Sequence, residues 1–248
     1  MTTLLATERI KLFTTRSPWW CAALALGMTI GLAAIMSATR DSSFPMGVNQ
    51  TQFGFLFGLL VVLVMAALAV TTEYRFSTIR VTFQAIPNRT AALLAKTVVV
   101  ALLAAFIGEI AAFGSWAVAG LIQPGADLAL NTGVEWRTVA GTGLVYGFGA
   151  VIAVAVGVLV RQSAGALSIL LIEVSLVENL VTLIPRVGED IHRWMPFTTA
   201  QHFLTGGGTR PGAPFDPTIG PWWALAYFAG FALVLLAIAL AVARKRDA

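Results

Sequence analysis

Six long apolar runs occupy more than half of this 248-residue chain. Each run can cross the hydrocarbon core of a bilayer as a helix, which takes about 20 residues. Charged residues make up only 11% of the chain, far fewer than a water-soluble domain carries. The runs are also too long and unbroken for the alternating strands of an outer-membrane barrel. The sequence therefore predicts an all-α polytopic membrane protein, a single transmembrane domain with spans at residues 19–36, 53–71, 91–122, 138–160, 163–184 and 222–243.

The distribution of positive charge predicts how these spans are oriented. With both termini placed in the cytoplasm, 11 of the 16 Lys and Arg residues lie in inner segments and five in outer segments. This bias, with an even number of spans, favours a multi-pass protein of the plasma or inner membrane with both termini cytoplasmic. The net charge of +4 therefore reflects inner loops and does not indicate nucleic-acid binding. The longest outer segment covers residues 185–221.

The segment that precedes the first span, residues 3–15, has the pattern of an amphipathic helix. At 100° per residue, Glu8 and Lys11 fall on a polar side, and Leu5 and Leu12 fall on the other. A helix of this kind lies along the membrane surface. The alternative is a polar leader that only holds the first span in register.

The inner link between the second and third spans predicts a short helix over residues 73–83. Its acid, Glu73, suits the first turn of a helix, where the helix dipole favours negative charge. Helical spacing places Glu73, Ser77 and Arg80 on one side, and an apolar side is formed by Phe76, Ile79 and Phe83. Such a helix could dock into the groove of a partner protein. The alternative, a solvated positively charged loop, fits the charges equally well.

This link resembles the coupling segment of the permease subunits of type-2 ABC transporters. That segment has an acid, a basic residue, Gly-Thr-Ile or Gly-Thr-Leu, then a proline and a basic residue. The matching residues here are Glu73, Arg75, Thr78, Ile79, Pro87 and Arg89, followed by Lys96. Ser77 stands where the family usually has glycine. The outer residues Trp194, Met195, Pro196 and Phe197 are similar to the family's re-entrant region after span five.

The resemblance implies the permease subunit of an ATP-driven exporter that moves a hydrophobic or amphipathic substrate by alternating access. Residues 3–15 would be its interfacial helix and residues 73–83 its cytoplasmic coupling helix. Two permeases, identical or related, would assemble with two cytoplasmic ATPase subunits among the membrane lipids. ATP and Mg²⁺ would be bound by those subunits, because the glycines at 206–208 lack the lysine of a P-loop. The residues implied to couple to the ATPase are Glu73, Arg75, Ser77, Thr78, Arg80 and Phe83.

Polar side chains inside the spans are candidates for function, because burying them in a bilayer is costly. In the fifth span Ser168, Ser175, Asn179 and Thr182 share one helical face, and the same spacing places Glu178 beside them. This polar stripe predicts either a substrate path or seam between permeases, or hydrogen bonds that hold helices together. The residues predicted to line a substrate path are Phe53, Phe57, Ser175, Glu178 and Asn179.

Two further classes of function remain open from the sequence. Glu109, Glu173 and Glu178 could form the relay of a proton-coupled secondary transporter. A structural subunit or an intramembrane hydrolase is the third possibility. The two histidines, His192 and His202, are ten residues apart without a His-Glu-x-x-His pattern, so the sequence predicts no metal site and no catalytic residue. The sequence does not identify the substrate, and it does not show whether the two permease subunits would be identical or different.

Overall fold

The computed structural model describes residues 2–39, 46–85, 88–206 and 219–245, apart from the side chains of Thr2, Arg80, Phe83 and Ala85. Within these ranges the chain is helical and contains no strand. A π-helical turn, Glu173–Val177, joins the helices Ser163–Ile172 and Glu178–Val181. The helices are α1 (Thr2–Thr14), α2 (Ser17–Thr39), α3 (Val48–Thr51), α4 (Phe55–Arg75), α5 (Thr78–Ala85), α6 (Arg89–Ile122), α7 (Gly133–Ala140), α8 (Thr142–Val160), α9 (Ser163–Ile172), α10 (Glu178–Val181), α11 (Gly188–His192), α12 (Pro196–Thr205) and α13 (Pro221–Lys245).

Six of these helices are long and apolar enough to cross a membrane, which confirms the number of spans. They are α2, α4, α6, α8, the continuous helix Ser163–Val181, and α13. The third span is longest, with 34 residues, or about 50 Å at 1.5 Å per residue. Since this exceeds a bilayer core of about 30 Å, part of α6 extends beyond the hydrocarbon. The fifth span ends at Val181, three residues before the predicted boundary.

The central helix of the bundle is α8, which packs against α4, α6, α9 and α13. Its sequence is rich in glycine, alanine and valine, so neighbouring helices approach it closely. Tyr146 is fully buried on α8, and its hydroxyl donates to the carbonyl oxygen of Phe55 at 2.7 Å. The missing side chains of Gly58 on α4 and Gly108 on α6 make room for this ring. The tyrosine thereby joins three spans.

Two of the three Gly-x-x-x-Gly motifs lie at helix contacts. The motif that starts at Gly54 packs against Thr29 of α2, and the one that starts at Gly143 packs against Ala105 of α6. In the motif that starts at Gly27, a Cβ added at either glycine would meet no atom of another described element within 4 Å. Small residues four apart thus mark close packing only where another helix is present.

The two ends of the bundle differ in charge. At one end, Ser163 of the fifth span donates to Thr71 of the second at 2.9 Å. At the same end, Arg244 of the sixth span donates to Thr90 of the third at 2.7 Å. We call this the basic end, and it also holds α1 and α5. The described lysines and arginines lie here, apart from Arg137, Arg186 and Arg193. By the positive-inside rule the basic end is predicted to face the cytoplasm.

Candidate functional site

Four charged side chains meet at the basic end of the bundle. We call Glu8, Lys11, Glu73 and Lys96 the charge cluster. Lys96 Nζ donates to Glu8 Oε2 and to Glu73 Oε1, the latter at 2.9 Å. Lys11 Nζ donates to Glu8 Oε1 at 2.8 Å and lies 3.6 Å from Glu73 Oε1. The cluster therefore fastens α1 to the end of α4 and to the beginning of α6.

The charge cluster is largely removed from solvent. The exposed fraction of the side chain is 5% for Glu8, 7% for Lys96, 15% for Glu73 and 39% for Lys11. Buried charges are tolerated only when they are paired, because desolvation of a lone ion is costly. Two acids and two bases make the group neutral, so removal of one member leaves an uncompensated buried charge.

The burial of Glu8 shows which side of the amino-terminal helix packs against the bundle. Glu8 and Leu12, four residues apart, both face the bundle, whereas Ile10 and Phe13 are exposed. The predicted polar side therefore supplies ion pairs inside the protein, because a lysine of the third span lies opposite it. The bounds of α1 are close to the predicted 3–15, and its position on a membrane surface stays a prediction.

The ion pairs change the acidity of the groups that α1 contributes. Burial acts to raise the pKa of Glu8, but attraction to Lys96 and hydrogen bonds from Lys11 and Lys96 hold that pKa below its usual value. Burial acts to lower the pKa of Lys11, but its hydrogen bond to Glu8 and attraction to Glu73 raise it overall. Both groups are therefore held in their charged forms near neutral pH.

The inner link is divided into two helices, which corrects the prediction of one helix over residues 73–83. Glu73 and Arg75 belong to the last turn of α4, and α5 begins at Thr78. Between them the backbone of Ser77 has a φ of 57°, in the left-handed region. Glycine adopts this conformation at no steric cost, whereas it is uncommon for serine. Sequence spacing missed the break because serine does not signal it.

Two contacts hold α5 against the rest of the chain. Lys11 Nζ donates to Thr82 Oγ1 at 3.2 Å, and Ile79 is buried in the main hydrophobic core. The predicted apolar side of α5 thus packs in part within the chain. Pro87 and the side chains of Arg80 and Phe83 lie outside the described residues.

The surface around the start of α5 combines a cation with exposed apolar groups. Phe76 and Val81 are 67% and 65% exposed. The guanidinium of Arg75 lies over the Phe76 ring, 5.5 Å from its centroid. Ser77 and Thr78 are also exposed. Among the predicted coupling residues whose side chains the structure describes, Glu73 is the one held in internal ion pairs.

At the opposite end, Glu178 caps the helix α12. Glu178 Oε1 accepts from the backbone N–H of Phe197 at 2.8 Å, and Oε2 accepts from Thr198 Oγ1 at 3.0 Å. The residue at the N-cap position of α12, Met195, supplies no side-chain hydrogen bond. Because the first N–H groups of a helix have no partner within it, a carboxylate from another helix stabilises them. This fixes α12, the region that resembles a re-entrant segment, to the fifth span.

The burial of Glu178 corrects its predicted place beside the polar stripe. Ser168, Ser175, Asn179 and Thr182 are exposed, whereas Glu178 is buried. Glu178 directly precedes Asn179, so it lies about 100° away from that residue around the helix and faces the bundle. The described hydrogen bonds of Asn179 and Thr182 run to the backbone of their own helix, to Ser175 and Asn179 respectively.

The other residues predicted for a substrate path or proton relay are distributed over the second, third and fifth spans. Phe53 and Phe57, at the start of the second span, are 53% and 42% exposed. Glu109 on α6 packs against Gly143 of α8, and Glu173 is half-buried on the fifth span. The described contacts do not join Glu109 to the acids of the fifth span. The path and the relay both stay predictions.

The two histidines occupy different surroundings. His192 Nε2 lies 3.3 Å from Thr198 Oγ1, and His202 is buried with Nε2 2.9 Å from the carbonyl oxygen of Ile219. Across the part of the chain that the structure describes, no three His, Cys, Asp or Glu residues are grouped so that they could hold a metal ion. Residues 207–218 of the outer segment lie outside the described part.

The sequence matches no family model and no curated protein.

Proposed function

We propose that this chain is the membrane permease subunit of a type-2 ABC exporter. Two permeases, identical or related, would work with two separate cytoplasmic ATPase subunits that bind ATP and Mg²⁺. The observation that carries the proposal is the charge cluster, which fastens α1, α4 and α6 together and reaches α5 through Lys11 and Thr82. A helix held in this way transmits a displacement to the second and third spans, whereas a solvated loop would absorb it.

The exposed surface at Arg75, Phe76 and Val81 is the proposed docking surface for the ATPase. A partner groove with an apolar floor and an acidic rim would fit these side chains. Closure of the ATPase pair on ATP would then move α5. Because Ile79 and Thr82 tie α5 to the bundle, that movement would reorient the spans and change which side a cavity between the two permeases faces.

The exposed face of the fifth span supports the pairing of two permeases. Polar side chains at Ser175 and Asn179 are unfavourable against lipid tails, so a protein or water-filled surface is expected beside them. With Phe53 and Phe57 this face would offer both apolar and polar groups to a hydrophobic or amphipathic substrate.

Co-purification tests the docking surface directly. The full-length chain, tagged and extracted in mild detergent, should bring down a P-loop ATPase in equal amount. Val81→Asp should remove the ATPase, because it places a charge on the apolar part of the docking surface. Val187→Asp, the same change at an exposed site of the opposite end, serves as the control and should retain it. Absence of an ATPase from the wild-type preparation, or equal retention by both variants, would refute the proposal.

The second candidate is a proton-coupled secondary transporter. It is favoured by Glu109, Glu173 and Glu178, which lie within candidate spans, and of these Glu178 is buried. The use of Glu178 as a helix cap gives that acid a structural role instead. In proteoliposomes, uptake driven by a pH gradient without ATP would support this candidate, whereas a strict requirement for ATP would reject it.

A further inference from the structure

A cleft of about 410 Å³ lies at the basic end between the start of α6 and the end of α13. Its lining consists of Asn88, Arg89, Thr90 and Arg244. None of these residues belongs to the charge cluster or to the docking surface on α5. The cleft therefore calls for an explanation of its own.

The two arginines of the cleft are brought together by contacts between distant parts of the chain. Arg244 Nε donates to Thr90 Oγ1 at 2.7 Å across a sequence separation of 154 residues. Asn88 Oδ1 accepts from the N–H of Ala91 at 3.1 Å and so fixes the first turn of α6, where Arg89 lies. A guanidinium carries five N–H donors in a planar fork, which suits the oxygens of a phosphate group.

The level of the cleft along the bundle matches that of lipid headgroups. The apolar stretch of α6 begins at Ala91, and that of α13 ends at Ala243. Arg89 and Arg244 border these apolar stretches, and basic residues that border a span attract acidic lipid headgroups. The described lining contains two guanidiniums and no carboxylate, so the cleft favours an anion.

We propose that this cleft binds the phosphate group of an acidic phospholipid, with Arg89 and Arg244 as its ligands. Thr90 is a positioning residue, because it holds the Arg244 guanidinium at the cleft. A bound lipid would bridge the third and sixth spans at the membrane surface. The site does not depend on coupling to an ATPase, so an experiment can refute the lipid site without refuting the proposed function.

Retention of lipid by the purified full-length chain tests this site. The chain is placed in nanodiscs of phosphatidylcholine with a minor fraction of phosphatidylglycerol, and lipids that stay bound after extraction are counted by native mass spectrometry. Arg89→Gln and Arg244→Gln should each weaken phosphatidylglycerol retention about fivefold, the effect expected for one basic residue at an anionic surface. Thr90→Val should also weaken it while keeping both charges.

Arg9→Gln is the matched control, because it removes the same charge from an exposed site on α1. In about 0.15 M salt it should change retention less than about twofold, since distant surface charges are screened. Arg244→Lys keeps the charge and should retain part of the binding if Arg244→Gln does not fold. Equal losses in Arg9→Gln and Arg244→Gln would overturn the site in favour of diffuse attraction. Displacement of the lipid by millimolar inorganic phosphate would refute a lipid ligand and indicate that the cleft binds a soluble anion.

Discussion

Lys96 of the third span and Glu8 of the amino-terminal helix form a buried ion pair across 88 positions of sequence. Lys96 also binds Glu73, at the end of the second span, so one ammonium group joins three elements. The pair places α1 against the bundle at the level where α5 leaves α4. Lys11, which donates to Thr82 of α5, shares Glu8 with Lys96.

Lys96→Met should destabilise the chain strongly, because it leaves Glu8 and Glu73 buried with one lysine between them. Loss of one partner of a buried pair costs about 3–5 kcal/mol, which should appear as a lower thermal unfolding midpoint in detergent. The double variant Glu8→Leu with Lys96→Met removes both charges and should recover part of the loss. Arg9→Met, at an exposed position of α1, is the control and should leave the midpoint unchanged. Equal midpoints for Lys96→Met and wild type would show that the pair is not formed.

The stability that Glu8 contributes should depend on pH. Because the pKa of Glu8 is lowered from its ordinary 4.5, its contribution is present above that pH and is lost as the pH falls through the lowered value. The contribution of Lys11, whose pKa is raised from 10.5, is complete below that pH and is lost as the pH rises through the raised value. The difference in unfolding midpoint between wild type and Glu8→Gln should therefore be constant near neutral pH and shrink in acid. A difference that grows in acid would contradict the lowered pKa.

Glu178→Ala should loosen α12 by removing the acceptor of two hydrogen bonds. Loss of a helix cap costs about 0.5–2 kcal/mol, so amide exchange across residues 196–205 should accelerate about two- to thirtyfold. Glu178→Gln keeps one carbonyl acceptor and should have a smaller effect. Hydrogen exchange with mass spectrometry measures the change. Asn179→Ala, the exposed neighbour, is the control, and an equal effect of the two alanine variants would argue against the cap.

Gly58→Ala should destabilise the bundle, because a Cβ there would collide with the Thr29 side chain and the Tyr146 hydroxyl. Overpacking of a tight core costs about 1–3 kcal/mol, which should lower the thermal midpoint. Gly27→Ala is the matched control, since no atom lies within 4 Å of its added methyl and alanine favours the helix. If the two variants behave alike, α2 and α4 are not in the close contact described.

Much of the resemblance to a transport permease could be read along the chain. Arg75, Ser77 and Thr78 could be placed at an exposed inner link because charge and apolar runs bound that link on both sides. The role of Glu73 could not be predicted from the sequence, because its two lysine partners come from α1 and α6. A possible signal was the presence of Lys96 within an otherwise apolar span, since a lysine so placed requires an acid nearby.

The role of Glu178 could likewise be predicted only in part from the sequence. Its position in an apolar helix marked it as significant, and α12 was recognisable from the residues around Pro196. Regular helical spacing assigned it to the exposed stripe with Ser175 and Asn179. The contact with α12 shows that Glu178 faces the bundle while Ser175 and Asn179 face outward.

The six spans, the bias of positive charge to one end and the short helix between the second and third spans could all be read from the order of residues alone. They depend on hydropathy and charge, which accumulate locally along the chain and need no knowledge of neighbours. Helix packing was needed to show that Glu8 meets Lys96, that Glu178 caps α12, and that Arg89 and Arg244 share a cleft. Each of these depends on which helices lie side by side and how far each is rotated, and a polar residue gains its partner only from that arrangement.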